Sequence, residues 1–353
     1  MKTILITGGS GFIGSHTCLV LLEKGYRLIV IDSCVNSSPL SLDRVASLAE
    51  EDINNVNEKL HFVKGDIRSK RVLEKVFREA REKGHPIDAV IHFAGLKAVG
   101  ESFKYPLLYW EVNVGGALNL FQVMESYGCR TIVFSSSATI YGYPKDVPID
   151  ETSPISPVNP YGYTKSAIEN ILKNLFASSP NSWRIACLRY FNPVGAHPSG
   201  KIGEDPLNIP HNLFPFISQV AVGRRKRLDI YGNDWPTEDG TCIRDYIHVM
   251  DLADGHYAAL EYLFKQDSEI LNLNLGTGKG TSVLEVVHTF QQVNKCSVAY
   301  RFVDRREGDV AISYADSELA KSILEWHPKR NIEDICRDGW AWQSMNPKGY
   351  IKK

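Results

Sequence analysis

Tyr161 and Lys165 stand four residues apart in Tyr161-Gly162-Tyr163-Thr164-Lys165, so on a helix both side chains leave the same face. A free tyrosine titrates at about pH 10 and is a poor base at neutrality, but an adjacent ammonium favours its phenolate and brings it into working range. Pro160 suits the first helical position. Upstream, Ser135-Ser136-Ser137-Ala138-Thr139 follows an apolar run, which places it at the carboxyl end of a strand, where open α/β sheets bind ligands. Ser137 can hydrogen-bond the hydroxyl that Tyr161 deprotonates. Three serines at a buried strand end need polar partners, because an unsatisfied hydroxyl costs free energy, and this favours a ligand site over a structural role. Alone, the Tyr/Lys spacing also fits an exposed pair on a helix surface.

A second set of residues reads as a dinucleotide site. Thr7-Gly8-Gly9-Ser10-Gly11-Phe12-Ile13-Gly14 follows a strand and opens a helix. Gly8, Gly11 and Gly14 let the backbone turn tightly and approach a pyrophosphate, Phe12 and Ile13 complete the loop, and the helix N-terminus offers N–H groups to the charge. The next strand ends at Asp32, whose carboxylate can accept both ribose hydroxyls of NAD and repels the extra phosphate of NADP. Asp66-Ile67 follows the third strand and can hold the adenine amino group, and Phe93-Ala94-Gly95 ends the fourth and runs beneath the cofactor. These segments also fit a glycine-rich turn, a capping Asp and strand-terminating turns. Their agreement in order along one sheet favours NAD. With NAD, Ser137, Tyr161 and Lys165 make a hydride-transfer site in which the phenolate takes the hydroxyl proton.

Such residues need a scaffold. Short apolar runs at residues 4–7, 28–31, 61–63, 89–93, 131–135 and 184–188 alternate with amphipathic stretches such as Val72, Leu73, Val76 and Phe77. This rhythm predicts an α/β fold, a Rossmann-type doubly wound parallel sheet with right-handed crossovers. After Leu188, prolines and glycines announce loops and short elements, followed by a helix over residues 249–264, a strand near 272–275 and a helix from Ser282. The expected division is a NAD-binding domain at 1–190 and a smaller, mixed C-terminal substrate domain at 191–353. Residues 50–59, polar and acidic, read as a surface insertion.

The bulk numbers exclude several classes. The chain has 353 residues, 43% hydrophobic and 23% charged, an ordinary globular balance. A formal net charge of -1 argues against a general nucleic-acid binder, and the basic run Arg224–Arg227 reads as a solvated helix end. Seven scattered cysteines with no CxxC pair suggest neither a disulfide framework nor a metal site. The expectation is a cytoplasmic protein without signal peptide or membrane span.

The blocks at residues 90–102, 134–141, 188–200 and 244–249, with the motifs above, resemble the extended short-chain dehydrogenase/reductase family, and within it the nucleotide-sugar 4-epimerases. The likeness runs along nearly the whole chain. It implies reversible epimerisation of UDP-glucose and UDP-galactose at C4, through a 4-keto sugar, on retained NAD. It implies catalytic Ser137, Tyr161 and Lys165, and cofactor contacts from Asn36, Lys97, Asn113, Ser135 and Tyr190. For UDP-sugar it implies Lys97, Asn192, Asn212, Leu213, Tyr231, Arg244, Tyr246, Arg306 and Asp309. Two arginines suit a pyrophosphate, and Tyr231 suits uracil, although Arg306 also fits a merely charged turn. A homodimer is a further expectation of the family. The chain departs from the common pattern at Ser33, where Asn is usual, at Phe12, where Tyr is frequent, and at Tyr163, where Lys is frequent. Ser313 is small where some relatives carry Tyr, and the small version goes with room for an N-acetyl group, so activity on UDP-GlcNAc and UDP-GalNAc is expected too.

Two other functions fit parts of the pattern. A nucleotide-sugar 4,6-dehydratase needs an acid and a base after the catalytic Ser/Thr, and Ala138-Thr139-Ile140 has no carboxylate. A non-catalytic NAD sensor has no need of Ser137, Tyr161 and Lys165 together.

Overall fold

The computed structural model describes residues 1–49, 58–206, 210, 212–306 and 308–350. Of the stretch read as a surface insertion, residues 50–57 lie outside these. Seven strands form the main sheet: β1 (Thr3–Thr7), β2 (Arg27–Asp32), β3 (Leu60–Lys64), β4 (Ile87–His92), β5 (Thr131–Ser137), β6 (Arg184–Tyr190) and β11 (Glu269–Leu275). Their order is β11-β6-β5-β4-β1-β2-β3, with β1 parallel to β2 and β4, β2 to β3, and β4 to β5. Helices on both faces explain why β1 and β5 are buried at every residue, whereas the edge strand β3 is half open. This is the expected doubly wound architecture.

Strand ends differ from the local reading by a residue or two, and one difference matters. The fifth strand does not stop at Ser135 but continues through Ser137, because each serine finds partners that keep the backbone extended. The helix Val249–Phe264 matches its expected limits, and the helix Val283–Asn294 starts on a Ser282/Glu285 capping box.

Two compact units interleave along the chain rather than following one another at Tyr190. The first comprises Met1–Gly142, Pro154–Arg189 and Ala253–Leu273, and the second Tyr143–Ser153, Tyr190–Leu252 and Asn274–Lys353. In the first, the core beneath the sheet joins Leu5, Val90, Phe121, Phe134, Leu172 and Ile185. The second has small sheets: β7 (Asn192–Val194) beside β10 (Tyr246–His248), β8 (Leu228–Tyr231) beside β13 (Tyr300–Val303), and β9 (Ile243–Arg244) between β12 (Thr281–Ser282) and β14 (Ile312–Ser313). Its own core packs Phe214, Ile217, Val286, Phe290 and Ile335.

Candidate active site

The glycine loop is shaped for a backbone-bound anion. Gly8 adopts φ 73°, donates to Ile31 O at 2.8 Å, and leaves no room for a side chain, since a Cβ would lie 2.7 Å from Ala94 N. At Gly14 a Cβ would strike the Gly8 carbonyl and sit 2.7 Å from Gly9 Cα. The helix Phe12–Glu23 begins on Gly11 with no side-chain cap, and Phe12 and Ile13 form its first turn. Asp32 is fixed at the end of β2 by the Ser10 amide at 3.1 Å, the Cys34 amide at 2.9 Å and the Ser37 hydroxyl at 2.9 Å. Asn36 lies exposed in the loop that follows. The cradle and the placed carboxylate fit NAD.

Other expected cofactor residues are held by internal bonds. Asp66 is gripped by Arg68, whose guanidinium lies 2.7 Å away and whose hydrogen bonds lower the carboxyl below its usual range. Ile67 is buried. The Phe93 and Ala94 amides donate to Thr7 O at 2.9 and 3.0 Å, which joins this loop to β1. Asn113, in a π-helical turn Trp110–Gly115, accepts from the Leu96 amide at 2.8 Å and donates to Leu96 O and to Thr164 Oγ1. At Gly95 a Cβ would lie 3.0 Å from Asn113 Oδ1, a tight contact that the Asn113 side chain would have to ease. Lys97 is exposed, and Tyr190 is buried at the end of β6.

Tyr161 and Lys165 share one face of the helix Pro160–Ser178, which is capped by the Asn159 side chain on the Gly162 amide. Lys165 is buried, donates to Ser135 O at 2.6 Å, and lies 4.9 Å from the Phe134 ring and 5.9 Å from the Tyr161 ring. Burial draws its ammonium down to about 8, opposed by the charge of Glu169. Burial raises the Tyr161 phenol, and a hydrogen bond with Ser137 pulls it back. Ser137 Oγ accepts from the Thr139 amide at 3.2 Å and from the Thr139 hydroxyl at 3.0 Å, so its own proton remains to be donated. Phenol, ammonium and hydroxyl therefore meet at the end of β5.

Ser136 corrects the argument from the serine run. Its hydroxyl donates to Glu169 at 2.5 Å, so this serine has a structural partner and carries no weight for a ligand. Glu169 and Arg189 were missed from sequence. A signal existed: Glu169 lies one more helical turn beyond Lys165, and Arg189 is a charge in an otherwise buried strand.

In the second unit, β14 pairs parallel with β9 so that Ser313 lies opposite Arg244. Arg306 donates to Asp309 at 2.8 Å, and Arg244 lies 3.9 Å from the same carboxylate. The Arg306 guanidinium is 5.4 Å from the ring of half-exposed Tyr231. Asn192 and Tyr246 are partners in the β7/β10 register, the latter buried. Asn212 precedes the helix Leu213–Ala221 and donates to Glu204 at 3.3 Å. Two arginines around one carboxylate, with an open aromatic beside them, are groups that could receive an anion and a base. No group of three or more His, Cys, Asp or Glu among the described residues is placed to hold a metal ion.

A family model described as GDP-mannose 4,6 dehydratase matches residues 5–339. The chain is 53% identical over 353 residues to UDP-glucose 4-epimerase 1 of Oryza sativa subsp. japonica, covering 99% of this chain and 97% of the rice one. A crystal structure of UDP-glucose 4-epimerase from Bifidobacterium longum in complex with NAD+ and UDP superposes with a TM-score of 0.92 at 44% identity, covering 99% of this chain and 100% of that one. The UDP-Glc/GlcNAc 4-epimerase of Campylobacter jejuni superposes at 0.81 and 33% identity, covering 98% and 100%.

Proposed function

The chain belongs to the UDP-glucose 4-epimerases of the extended short-chain dehydrogenase/reductase family, and from that premise we propose that it interconverts UDP-glucose and UDP-galactose at C4 through a 4-keto sugar. The observation that carries the reading is the meeting of Ser137, Tyr161 and Lys165 at the end of β5. NAD, when bound, supplies the acceptor and donor of the electron pair. Tyr161 takes the proton of the C4 hydroxyl while Ser137 orients it, and Lys165 stabilises the phenolate. The keto sugar presents its other face, and Tyr161 returns the proton to the inverted alkoxide. Rotation of the sugar requires that binding rest on the nucleotide. Arg244, Arg306 and Tyr231 are assigned that task, with Asn192, Asn212, Leu213, Tyr246 and Asp309 around them.

Dehydration, which the matched family's description names, lacks its acid–base pair here. The turn Ala138–Tyr141 carries no carboxylate after Ser137, and the Thr139 hydroxyl is spent on Ser137.

Ser313 beside Arg244 supports a wider substrate range, namely UDP-GlcNAc and UDP-GalNAc, the first of which is in the C. jejuni relative's name. A homodimer is proposed through the helices bearing exposed Phe103, Leu107, Trp110 and Leu118, since exposed apolar side chains suit a second copy. Cytoplasmic residence is proposed on the free cysteines, which suit a reducing compartment. No helix among the described residues is long and apolar enough to cross a membrane. The reaction is tested by following UDP-galactose and UDP-glucose by chromatography with the wild type and with Tyr161→Phe. Equal conversion by both, or none by the wild type, rejects it.

A further inference from the structure

We propose that Glu169 is a positioning residue for this reaction: gripped by Arg189, it ties the Ser136 hydroxyl to the catalytic helix, holds Ser135 and Ser137 in place, and sets a carboxylate one helical turn from Lys165. The inference rests on the function proposed above and assigns a part of its machinery.

The geometry is that of a buried clamp. Tyr161, Lys165 and Glu169 recur at four-residue spacing along one helix, so they share a face. Glu169 Oε1 accepts from Ser136 Oγ at 2.5 Å and from Arg189 Nε at 3.1 Å, and Oε2 accepts from Arg189 Nη2 at 2.8 Å. Arg189 Nη1 donates to Tyr141 Oη at 2.9 Å, which secures the turn that follows Ser137. The side chains of Arg189 and Glu169 are only 5% and 10% exposed. A two-point ion pair at that depth is rigid and little screened. Three successive serines are thus occupied in three ways: the Ser135 carbonyl by Lys165, the Ser136 hydroxyl by Glu169, and the Ser137 hydroxyl by Thr139 and Tyr161.

The electrostatic part follows from what faces Lys165. From β4 comes His92, which burial keeps neutral; from β5 come the Ser135 carbonyl and the Phe134 ring; from its own helix come Tyr161 and Glu169. Around Glu169 stand Arg189 and the buried Cys187 of β6, Ser136 of β5 and Tyr141. Of the acids among these, Glu169 is the one that favours the Lys165 ammonium against its burial. The pair can exist as phenolate and ammonium or as phenol and amine, and Glu169 favours the first. Lys165 is nearer to Tyr161 than Glu169 is, so loss of the ammonium outweighs loss of the carboxylate.

The test measures kcat and KM for UDP-galactose across pH on the NAD-bound enzyme. Glu169→Gln keeps the shape and removes the charge. It should move the alkaline limb of kcat, set by loss of the Lys165 proton, about one pH unit lower, with KM within about twofold. Glu169→Asp should leave that limb in place, and Ser136→Ala, which removes only the tether, should lower kcat several-fold at every pH. Tyr161 phenolate absorbance, with Tyr161→Phe as the blank, gives a readout that needs no turnover and should fall in Glu169→Gln. If the wild type fails to convert UDP-galactose yet this absorbance falls, the reaction is wrong and the positioning role stands. If the wild type turns over and the Glu169→Gln limb stays where it was, the positioning role is wrong.

Discussion

Lys165 Nζ lies 2.6 Å from the carbonyl oxygen of Ser135 and 5.9 Å from the centre of the Tyr161 ring. One ammonium is therefore fastened to the strand that carries Ser137 and stands beside the phenol that it is proposed to activate. Burial has lowered it to about 8, so its charge is available at neutral pH and lost not far above.

Removing the base should stop the chemistry and spare binding. Tyr161→Phe is expected to lower kcat by roughly 10²- to 10⁴-fold. Retained NAD and unchanged UDP affinity, read by absorbance and calorimetry, should accompany the loss. A variant with near wild-type kcat would remove Tyr161 from the role of base.

The anion surface makes a different demand. Arg306→Ala should raise KM for UDP-galactose by roughly 30-fold, the equivalent of about 2 kcal/mol for a lost charge-assisted bond, with kcat little changed. Arg306→Lys should recover only part of this, because an ammonium lacks the planar fork. Steady-state kinetics on the two variants decide it, and an unchanged KM in Arg306→Ala would leave Arg306 as a turn residue paired with Asp309.

Much of the scaffold was legible because its signals are local. Gly8, Gly11 and Gly14 after an apolar run, or Tyr161 and Lys165 behind Pro160, announce themselves within a few residues. What was not legible depends on distant partners. Strand β11 joins β6 at the sheet edge, and residues Ala253–Leu273 pack with the first unit although they come late in the chain. Nothing in a short window reports such pairing. The serine run shows the same limit at the site. Three serines together favour a ligand site, yet the Ser136 hydroxyl has its partner in Glu169, 33 residues on. Arg189 in a buried strand was the clue that an acid had to be near.

Substrate breadth turns on one side chain. Ser313→Tyr places a ring beside Arg244 on β14 and should remove activity on UDP-GlcNAc by at least about 100-fold, while UDP-galactose turnover stays within severalfold. Parallel loss on both sugars would mean that the substitution damages the site as a whole.

Acid should unfold the first unit partly through His92. This imidazole is buried between Thr7, whose hydroxyl is 2.7 Å from Nδ1, and the ring of Phe134, and burial with the nearby Lys165 charge draws it down to about 3. The unfolded chain binds the proton first, at about pH 6.5. Stability from this group is complete above that pH and is lost as pH falls from about 6.5 toward about 3, at up to roughly 1.4 kcal/mol per unit. Urea midpoints at several pH values should fall less steeply for His92→Asn than for the wild type, and equal slopes would contradict the assignment.

The proposed reaction is a proton and electron-pair exchange at C4 on a cofactor the protein keeps. The direct measurement is to incubate purified protein with UDP-galactose, without added NAD, and to follow UDP-glucose in quenched samples by chromatography. UDP-glucose should form steadily until equilibrium is reached. No product, even with NAD supplied to folded protein, would contradict it.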